Sequence, residues 1–230
     1  STCLGKGRQK VIISVDSFVE GTHFNNLMPF DSIGFRSVVA AVSDIVAMGG
    51  IPRYAVISFG FGKRENQKYI NNIYNGIINC AKKFKVDIIG GDTFLSERIA
   101  ITITVVGKVE KRNLLTRKGS KIGDLIFLSG KTGLSYAGLK ILLNKGRKKI
   151  KGKEKKSVRV HLLPEPEFFK ARVLAKSKLI NSMIDISDGL MADLMHITLD
   201  NHMGAEIYMD RLPADLSVKH IAKKFRDNYY

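Results

Sequence analysis

Five aspartates lie among apolar residues and glycines rather than on a polar face. They are Asp16, Asp44, Asp92, Asp185 and Asp188. A buried, unpaired carboxylate is costly, so such residues are usually paired, protonated or bound to a metal ion. Carboxylate oxygens suit Mg²⁺, which keeps several waters and bridges substrate phosphates, and glycines allow a close backbone approach to those phosphates. The residue types therefore predict a magnesium-dependent nucleotide site.

Each candidate also has an ordinary structural explanation when taken alone. Asp92 and Asp188 stand beside glycines, where Asp commonly caps a helix or forms a turn. Asp44 is harder to explain in this way, because it falls in an apolar helical pattern where Asp has poor propensity and no capping role. An isolated histidine such as His23 is more often a hydrogen-bonded surface residue than a ligand. These alternatives stay open on composition and spacing alone.

Apolar periodicity predicts the elements that carry these residues in the first half of the chain. Asp31 and Ser32 are expected to cap the first helix, and Gly49 and Gly50 to end it. Asp16 and Asp92 are each expected to end a strand. The predicted elements are a strand at 11–15, a helix at 31–49, a strand at 54–59, a helix at 66–84, a short buried strand at 86–89 and an alternating strand at 99–109.

The second half has a mixed order of predicted elements. They are a strand at 125–129, helices at 136–143 and 167–175, a strand at 183–186 and a helix at 190–199. Because strands and helices do not alternate regularly, the pattern favours an α+β fold over a doubly wound sheet. We expect two domains, at 1–115 and 116–230.

Composition excludes several classes of protein. The chain has 230 residues, 44% of them hydrophobic, which is enough to form a core. No stretch approaches the roughly 20 apolar residues of a membrane span, and no signal-peptide pattern opens the sequence, so we expect a cytoplasmic protein. The two cysteines, Cys3 and Cys80, cannot form a disulfide framework or a four-ligand zinc site.

The charge is concentrated in one segment. The formal net charge is +17, and residues 144–159 carry nine basic side chains against Glu154 alone, a net +8. With few apolar residues, this stretch is predicted to be a mobile, solvated loop. Nucleic-acid binding is the competing interpretation and is disfavoured, because neither a groove-binding helix nor interleaved aromatic residues accompany the charge.

Four segments, in this order along the chain, form a recognisable set. They are SVDSFVEGTHF at 14–24, SDIVAMGGIP at 43–52, GGDT at 90–93 and IDISDGL at 184–190, with support from LTRKG at 115–119 and LPEP at 163–166. Together they resemble the thiamine-monophosphate kinase family, within the superfamily of aminoimidazole ribonucleotide synthetase. The hydrogenase-maturation carbamoyl dehydratase shares a similar DSFV stretch but not the EGTHF that follows it. The EGTHF segment at 20–24 therefore favours the kinase family.

The resemblance implies a fold, a reaction and a set of site residues. It implies an N-terminal domain that binds ATP and Mg²⁺ and dimerises through a mixed or antiparallel sheet, followed by a C-terminal α/β domain. The implied reaction is ATP- and Mg²⁺-dependent phosphorylation of thiamine monophosphate to thiamine diphosphate. The implied Mg²⁺ ligands are Ser14, Asp16, Asp44, Asp92, Asp185 and Asp188. The implied ATP contacts are Val15, Gly91, Asp92, Arg117 and Ser187, and His23 is implied to contact the thiamine phosphate.

The chain departs from the family pattern at three places. Val15 stands where the family usually has Thr. The sequence offers only STCLG at 1–5 where the family carries Gly-Asp-Asp, and it stops at Tyr230 before Gly-Gly-Glu-Asp-Tyr-Glu. We therefore expect a chain truncated at both ends relative to the family. Two alternatives remain, namely an enzyme of the superfamily with another acceptor, and an inactive nucleotide-binding subunit.

Overall fold

In the computed structural model, which describes residues 1–5, 7–63 and 65–225, a sheet occupies the first half of the chain and helices dominate the second. The strands are β1 Thr2–Leu4, β2 Gln9–Val19, β3 Ile51–Phe61, β4 Asp87–Leu95 and β5 Ala100–Glu110. The helices are α1 Phe30–Ala47, α2 Gln67–Phe84, α3 Leu134–Lys145, α4 Glu154–Leu162, α5 Phe168–Ser177, α6 Leu190–Asp200 and α7 Leu216–Phe225. The predicted α+β class is confirmed.

The sheet is mixed, with the strand order β1-β2-β5-β3-β4. β1, β2, β5 and β3 pair antiparallel, whereas β4 runs parallel to β3 because α2 returns the chain to the same end of the sheet. Along β5 the side chains of Ile101, Ile103 and Val105 are fully buried and alternate with half-buried neighbours. One face of the sheet is therefore packed against helices, as the alternation at 99–109 predicts.

α1 and α2 cover that face and meet through two glycines. A Cβ atom added to Gly34 of α1 would lie 1.9 Å from the backbone oxygen of Ile73, and one added to Gly76 of α2 would lie 1.9 Å from that of Asp31. The two helix backbones therefore touch directly. The close approach lets the apolar residues of α1 pack tightly between α2 and the sheet.

The opposite face of the sheet is uncovered and partly apolar. Val11 and Val15 of β2 are 42% and 58% exposed, and Tyr54 and Val56 of β3 are 46% and 40% exposed. Their side chains lie at positions that alternate with the buried ones along the same strands. This surface is called the open face below.

The second half forms its own small core and also docks on the first. α3, α4 and α7 bury a second apolar cluster. α5 instead packs on the first core, where Ala171 is buried. Arg172 of α5 donates one hydrogen bond to the backbone oxygen of Gly49 and two, each 3.0 Å long, to the carboxylate of Glu110. The two halves of the chain are thus joined by buried contacts.

Two predicted strands of the second half are absent from the described residues. Segments 125–129 and 183–186 form no strand in the described part of the chain, and Leu125 and Phe127 are 92% and 84% exposed. An apolar run becomes a strand only when a neighbouring strand satisfies its backbone groups along its length. Here the N–H of Met183 donates to the backbone oxygen of Thr116, which belongs to a loop.

The first-half elements are confirmed in type but differ in extent. The strand predicted at 86–89 continues to Leu95 and is exposed along its whole length, because β4 forms the edge of the sheet. Asp92 therefore lies inside β4, and Asp16 likewise lies inside β2 rather than at its end. α1 begins after Pro29 without a side-chain cap, so the Asp31–Ser32 cap was wrong.

The basic segment 144–159 is more ordered than predicted. Its second part belongs to α4, where Val158 is buried against α3 and the Glu154 carboxylate lies 2.5 Å from the Lys145 ammonium group. The mobile-loop prediction was wrong there, because ion pairs of Lys145 with Glu154 and of Lys156 with Asp215, together with one apolar contact face, anchor an otherwise charged helix. Every helix within the described residues is too short or too polar to cross a membrane.

Candidate functional site

Asp16 of β2 and Asp44 of α1 lie on the helix-covered side of the sheet. Ser14 and Asp16 lie at alternate positions of β2 on that face, and Ser14 is 1% exposed. The Ser14 hydroxyl donates a hydrogen bond of 2.5 Å to Asp44 Oδ2 on α1. Asp44 keeps one third of its side-chain surface exposed. The serine therefore fixes the orientation of a carboxylate that still faces solvent.

Asp16 is an acid in an unfavourable environment. Burial raises its pKa, and the charges of Asp44 and, more weakly, Asp188 raise it further. The backbone N–H of Ser17, which donates to Asp16 Oδ1 at 2.7 Å, and the charge of His23 act in the opposite direction. Three aspartates that are distant in sequence thus influence one another electrostatically.

Asp185 joins this group from the second half of the chain. Burial is the largest influence on the pKa of Asp185 and raises it. A hydrogen bond from the hydroxyl of Ser43 lowers the pKa, whereas the charges of Asp44 and Asp193 raise it. Ser43 and Asp44 are consecutive residues of α1, so this helix contacts carboxylates from both halves of the chain. The sequence pattern did not assign a role to Ser43.

The loop that carries Asp185, Ser187 and Asp188 is held by an aspartate that the sequence reasoning missed. Asp193, in the first turn of α6, is 3% exposed. Its Oδ2 accepts hydrogen bonds from the backbone N–H groups of Ser187 at 2.9 Å and of Asp188 and Gly189 at 3.1 Å. An acidic residue four positions after Gly189 is the only sequence signal of this contact.

Two candidate substrate-binding residues lie beside this group. His23 is exposed, and its Nδ1 accepts a hydrogen bond of 3.0 Å from the backbone N–H of Val19, which leaves the proton on Nε2. Val15 lies between Ser14 and Asp16 but points to the open face. Only the backbone of Val15 could therefore contact a ligand that the carboxylates hold.

The remaining candidates lie on other elements and make other contacts. Gly91 and Asp92 lie on the exposed edge strand β4, where Asp92 Oδ1 accepts from the N–H of Thr93 at 2.8 Å. Asp92 pairs in register with Ser58, two residues after Val56 of the open face. Arg117 is half-exposed and forms an ion pair of 3.0 Å with Asp200 of α6.

The donor set fits Mg²⁺ held partly by other ligands. Among the described residues, no three carboxylate, histidine or cysteine side chains are close enough together to hold a metal ion by themselves. Mg²⁺ does not need such a cage, because it usually takes one or two carboxylates and completes its octahedron with waters and phosphate oxygens. Burial, and after it the charges of neighbouring aspartates, raises the pKa values of Asp16 and Asp185, and a bound cation would offset both effects.

The candidate Mg²⁺ ligands do not line the cleft found in the described part of the chain. This cleft of about 450 Å³ lies at the start of α1, lined by Phe30, Asp31, Arg147 and asparagines of α2. Asp44 is 13 residues further along α1, which at 1.5 Å per residue is roughly 20 Å away. The cleft is therefore separate from the carboxylates.

Comparison with known proteins agrees with the fold. The family model for the AIR synthase related protein, N-terminal domain, matches residues 3–109, and that for the C-terminal domain matches residues 121–224. The chain is thus an AIR synthase-related protein. It is 30% identical over 220 residues to the thiamine-monophosphate kinase of Aquifex aeolicus, covering 96% of this chain and 70% of that protein. The chain belongs to the thiamine-monophosphate kinase family.

Two further similarities support this assignment. The thiamine-monophosphate kinase of Buchnera aphidicola is 34% identical over 218 residues, which cover 94% of this chain and 64% of that protein. The solved structure of AaThiL complexed with AMPPCP and TMP superimposes with a TM-score of 0.92 at 29% identity, covering 99% of this chain and 72% of that one. The chain thus spans about two thirds of the length of the curated relatives that it matches.

Proposed function

We propose that this chain transfers the γ-phosphoryl group of ATP to thiamine monophosphate, giving thiamine diphosphate and ADP, with Mg²⁺ as the cofactor. Its relatives are named for this kinase activity, and AaThiL is complexed with AMPPCP, an ATP analogue, and TMP. The observation that carries the proposal is that aspartates from β2, α1 and the loop before α6 influence one another through their charges. Asp44 and Asp188 act on Asp16, and Asp44 acts on Asp185.

The proposed reaction has to bring two anions together. The acceptor phosphate loses its second proton near pKa ~6, so it is already largely ionised at neutral pH and needs no strong general base. Mg²⁺, when bound, would supply positive charge that offsets the repulsion between the two substrates. Asp16, Asp44, Asp185 and Asp188 are the residues proposed to hold it. We propose Asp92 and Ser14 as further ligands.

Other residues of the chain would position the substrates. Arg117, half-exposed at the side of α6, can offer its guanidinium to phosphate oxygens, and the backbone N–H of Ser187 lies in the loop that carries Asp185. Val15 and Gly91 are proposed to contact ATP through their backbones, because neither offers a polar side-chain atom. His23, with a proton on Nε2, is proposed to donate to the phosphate of thiamine monophosphate.

Replacing Asp185 tests the proposal. Asp185→Asn keeps the shape of the side chain and the acceptor for Ser43 but removes the charge, so we expect thiamine-monophosphate-dependent ADP formation to fall by at least a hundredfold with an unchanged Tm. Asp210→Asn, an exposed aspartate in the short helix 209–211, is the matched control and should retain activity. Full turnover by Asp185→Asn would refute the assignment.

The same assay separates the two alternatives. If the wild-type chain consumes ATP only with another phosphorylated acceptor, the superfamily site is retained and the acceptor is wrong. If calorimetry detects binding of Mg·AMPPCP but no acceptor supports turnover, the chain is a nucleotide-binding subunit without activity. The relatives are longer than the region that matches this chain. Both outcomes are therefore judged on this chain and not on a full-length relative.

We also propose that two copies of the chain associate through their open faces. Val11, Val15, Tyr54 and Val56 would otherwise leave an apolar sheet surface in water, beside the unpaired edge of β4. Val56→Lys should shift the sedimentation profile from dimer to monomer, whereas Tyr69→Lys on α2 should not. A wild-type monomer at micromolar concentration would contradict the proposal. Use of ATP favours a cytoplasmic location, which stays a prediction.

A further inference from the structure

Asp193 differs from the other aspartates of the site because it is almost fully buried. It is 3% exposed, and one oxygen of its carboxylate accepts all three N–H groups of Ser187, Asp188 and Gly189. These contacts use Oδ2 fully and leave little surface for a ligand. Asp193 is therefore unsuited to bind a substrate or a metal ion directly.

The loop that Asp193 holds, residues 184–189, belongs to no helix or strand. The side chains of Ser187 and Asp188 are exposed. Gly189 has a φ of +123°, a conformation that strains any other residue. Three successive N–H groups that point at one anion form a concave turn, and the start of α6 favours negative charge at that point. Asp193 thus fixes the shape of an exposed turn from within.

The same turn carries the second-half residues of the proposed site. Asp185 contacts Ser43 of α1, and Asp188 influences Asp16 of β2, so the position of the turn decides whether carboxylates from the two halves meet. The carboxylate of Asp193 is the acceptor for three N–H groups of that turn. Without it, three amide donors would lose their partner and the turn would be free to rearrange.

We propose that Asp193 is a positioning residue, which holds the 184–189 turn so that Asp185 and Asp188 face the magnesium–nucleotide complex. This inference rests on the proposed use of Mg·ATP but not on the identity of the acceptor. It predicts a selective effect on nucleotide binding. A cap that merely stabilised α6 would instead change the stability of the protein and leave the nucleotide affinity of the folded fraction unchanged.

The test compares Asp193→Ala and Asp193→Asn with the exposed control Asp210→Asn. Calorimetry with Mg·AMPPCP should give a Kd raised roughly tenfold or more for Asp193→Ala, as expected for the loss of hydrogen bonds to a charged group. Asp193→Asn retains an acceptor oxygen and should recover most of the affinity. In steady state, the KM for Mg·ATP should rise in Asp193→Ala while the KM for thiamine monophosphate stays unchanged.

Hydrogen exchange provides a readout that does not depend on activity. The amides of 187–189 should exchange faster in Asp193→Ala than in the wild type, and those of α2 should not. Wild-type Mg·AMPPCP affinity in Asp193→Ala, or unchanged exchange at 187–189, would overturn the inference. If Asp193→Ala fails to fold, Asp193→Asn takes its place. Its neutral oxygen accepts hydrogen bonds more weakly than a carboxylate does, so the amides of 187–189 should still exchange faster than in the wild type, and unchanged exchange there would overturn the inference.

Failure of the proposed function gives a different pattern. A wild-type chain that binds Mg·AMPPCP but does not phosphorylate thiamine monophosphate refutes the proposed reaction, while the loss of affinity in Asp193→Ala still supports the positioning role. A wild-type chain with full kinase activity, and an Asp193→Ala variant with the same KM for Mg·ATP, refutes the positioning role alone.

Discussion

His161 makes the stability of the protein dependent on pH. This residue of α4 is 7% exposed, and its Nδ1 lies 3.2 Å from the Ser135 hydroxyl of α3. Burial lowers the pKa of His161 to about 4, and the nearby charge of Arg36 contributes to the shift. Arg36 belongs to α1 and donates a hydrogen bond to the backbone oxygen of His161. The neutral imidazole therefore lies at the contact between the two halves of the chain.

The magnitude and sign follow from these pKa values. A fall from 6.5 in the unfolded chain to about 4 in the folded chain corresponds to about 3 kcal/mol. Above pH 6.5 the histidine is neutral in both states, and this contribution to stability is fully present. Between pH 6.5 and pH 4 the unfolded chain binds a proton that the folded chain does not, so the contribution is progressively lost.

Urea denaturation at pH 7.5 and pH 4.5 measures this contribution. His161→Gln removes the titrating group, so the free energy of unfolding of the wild type should fall between the two pH values by about 2 to 3 kcal/mol more than that of the variant. His196→Gln, a replacement of an exposed histidine on α6, should behave like the wild type. An equal fall in wild type and His161→Gln would refute the argument that the buried imidazole resists protonation.

Two further predictions concern packing and the contact between the halves. Gly76→Ala should lower the free energy of unfolding by about 1–3 kcal/mol or more, because the new Cβ would overlap the backbone oxygen of Asp31. Gly204→Ala is the control, because a Cβ there meets open space and should lower it far less. Equal urea midpoints for the two variants would contradict the backbone contact of α1 and α2. Arg172→Met should lower stability by about 1–3 kcal/mol, because the Gly49 carbonyl and the Glu110 carboxylate lose their donor. An unchanged Tm would show that this contact contributes nothing to stability.

The sequence predicts those elements whose own pattern determines them. α2 repeats apolar residues at helical spacing and ends at a left-handed Lys85, and β5 alternates along its whole length. Segments 125–129 and 183–186 have equally apolar sequences, but a strand depends on a partner that its own residues do not encode. The predicted end of β4 was wrong for a related reason, because pairing with β3 continues the strand through two glycines.

The candidate site likewise contains residues that the sequence predicts and one that it does not. Asp16, Asp44, Asp185 and Asp188 could be selected because a carboxylate among apolar residues is unusual wherever it occurs. Asp193 could not, since its role depends on three N–H groups that converge only when the turn before α6 is formed. Local composition therefore identifies groups that would bind a ligand, and the tertiary structure is needed to identify the groups that hold them.

The docking of α5 restricts how the molecule can move. Gly49 has a φ of +69°, and a Cβ atom at this position would lie 2.7 Å from Ala175 of α5, so the turn after α1 and this helix are in direct contact. Arg172 adds hydrogen bonds across the same junction. A hinge rotation of one half against the other would have to break these buried contacts. We therefore expect closure around a nucleotide to occur by rearrangement of loops, while the two halves keep a fixed relative orientation.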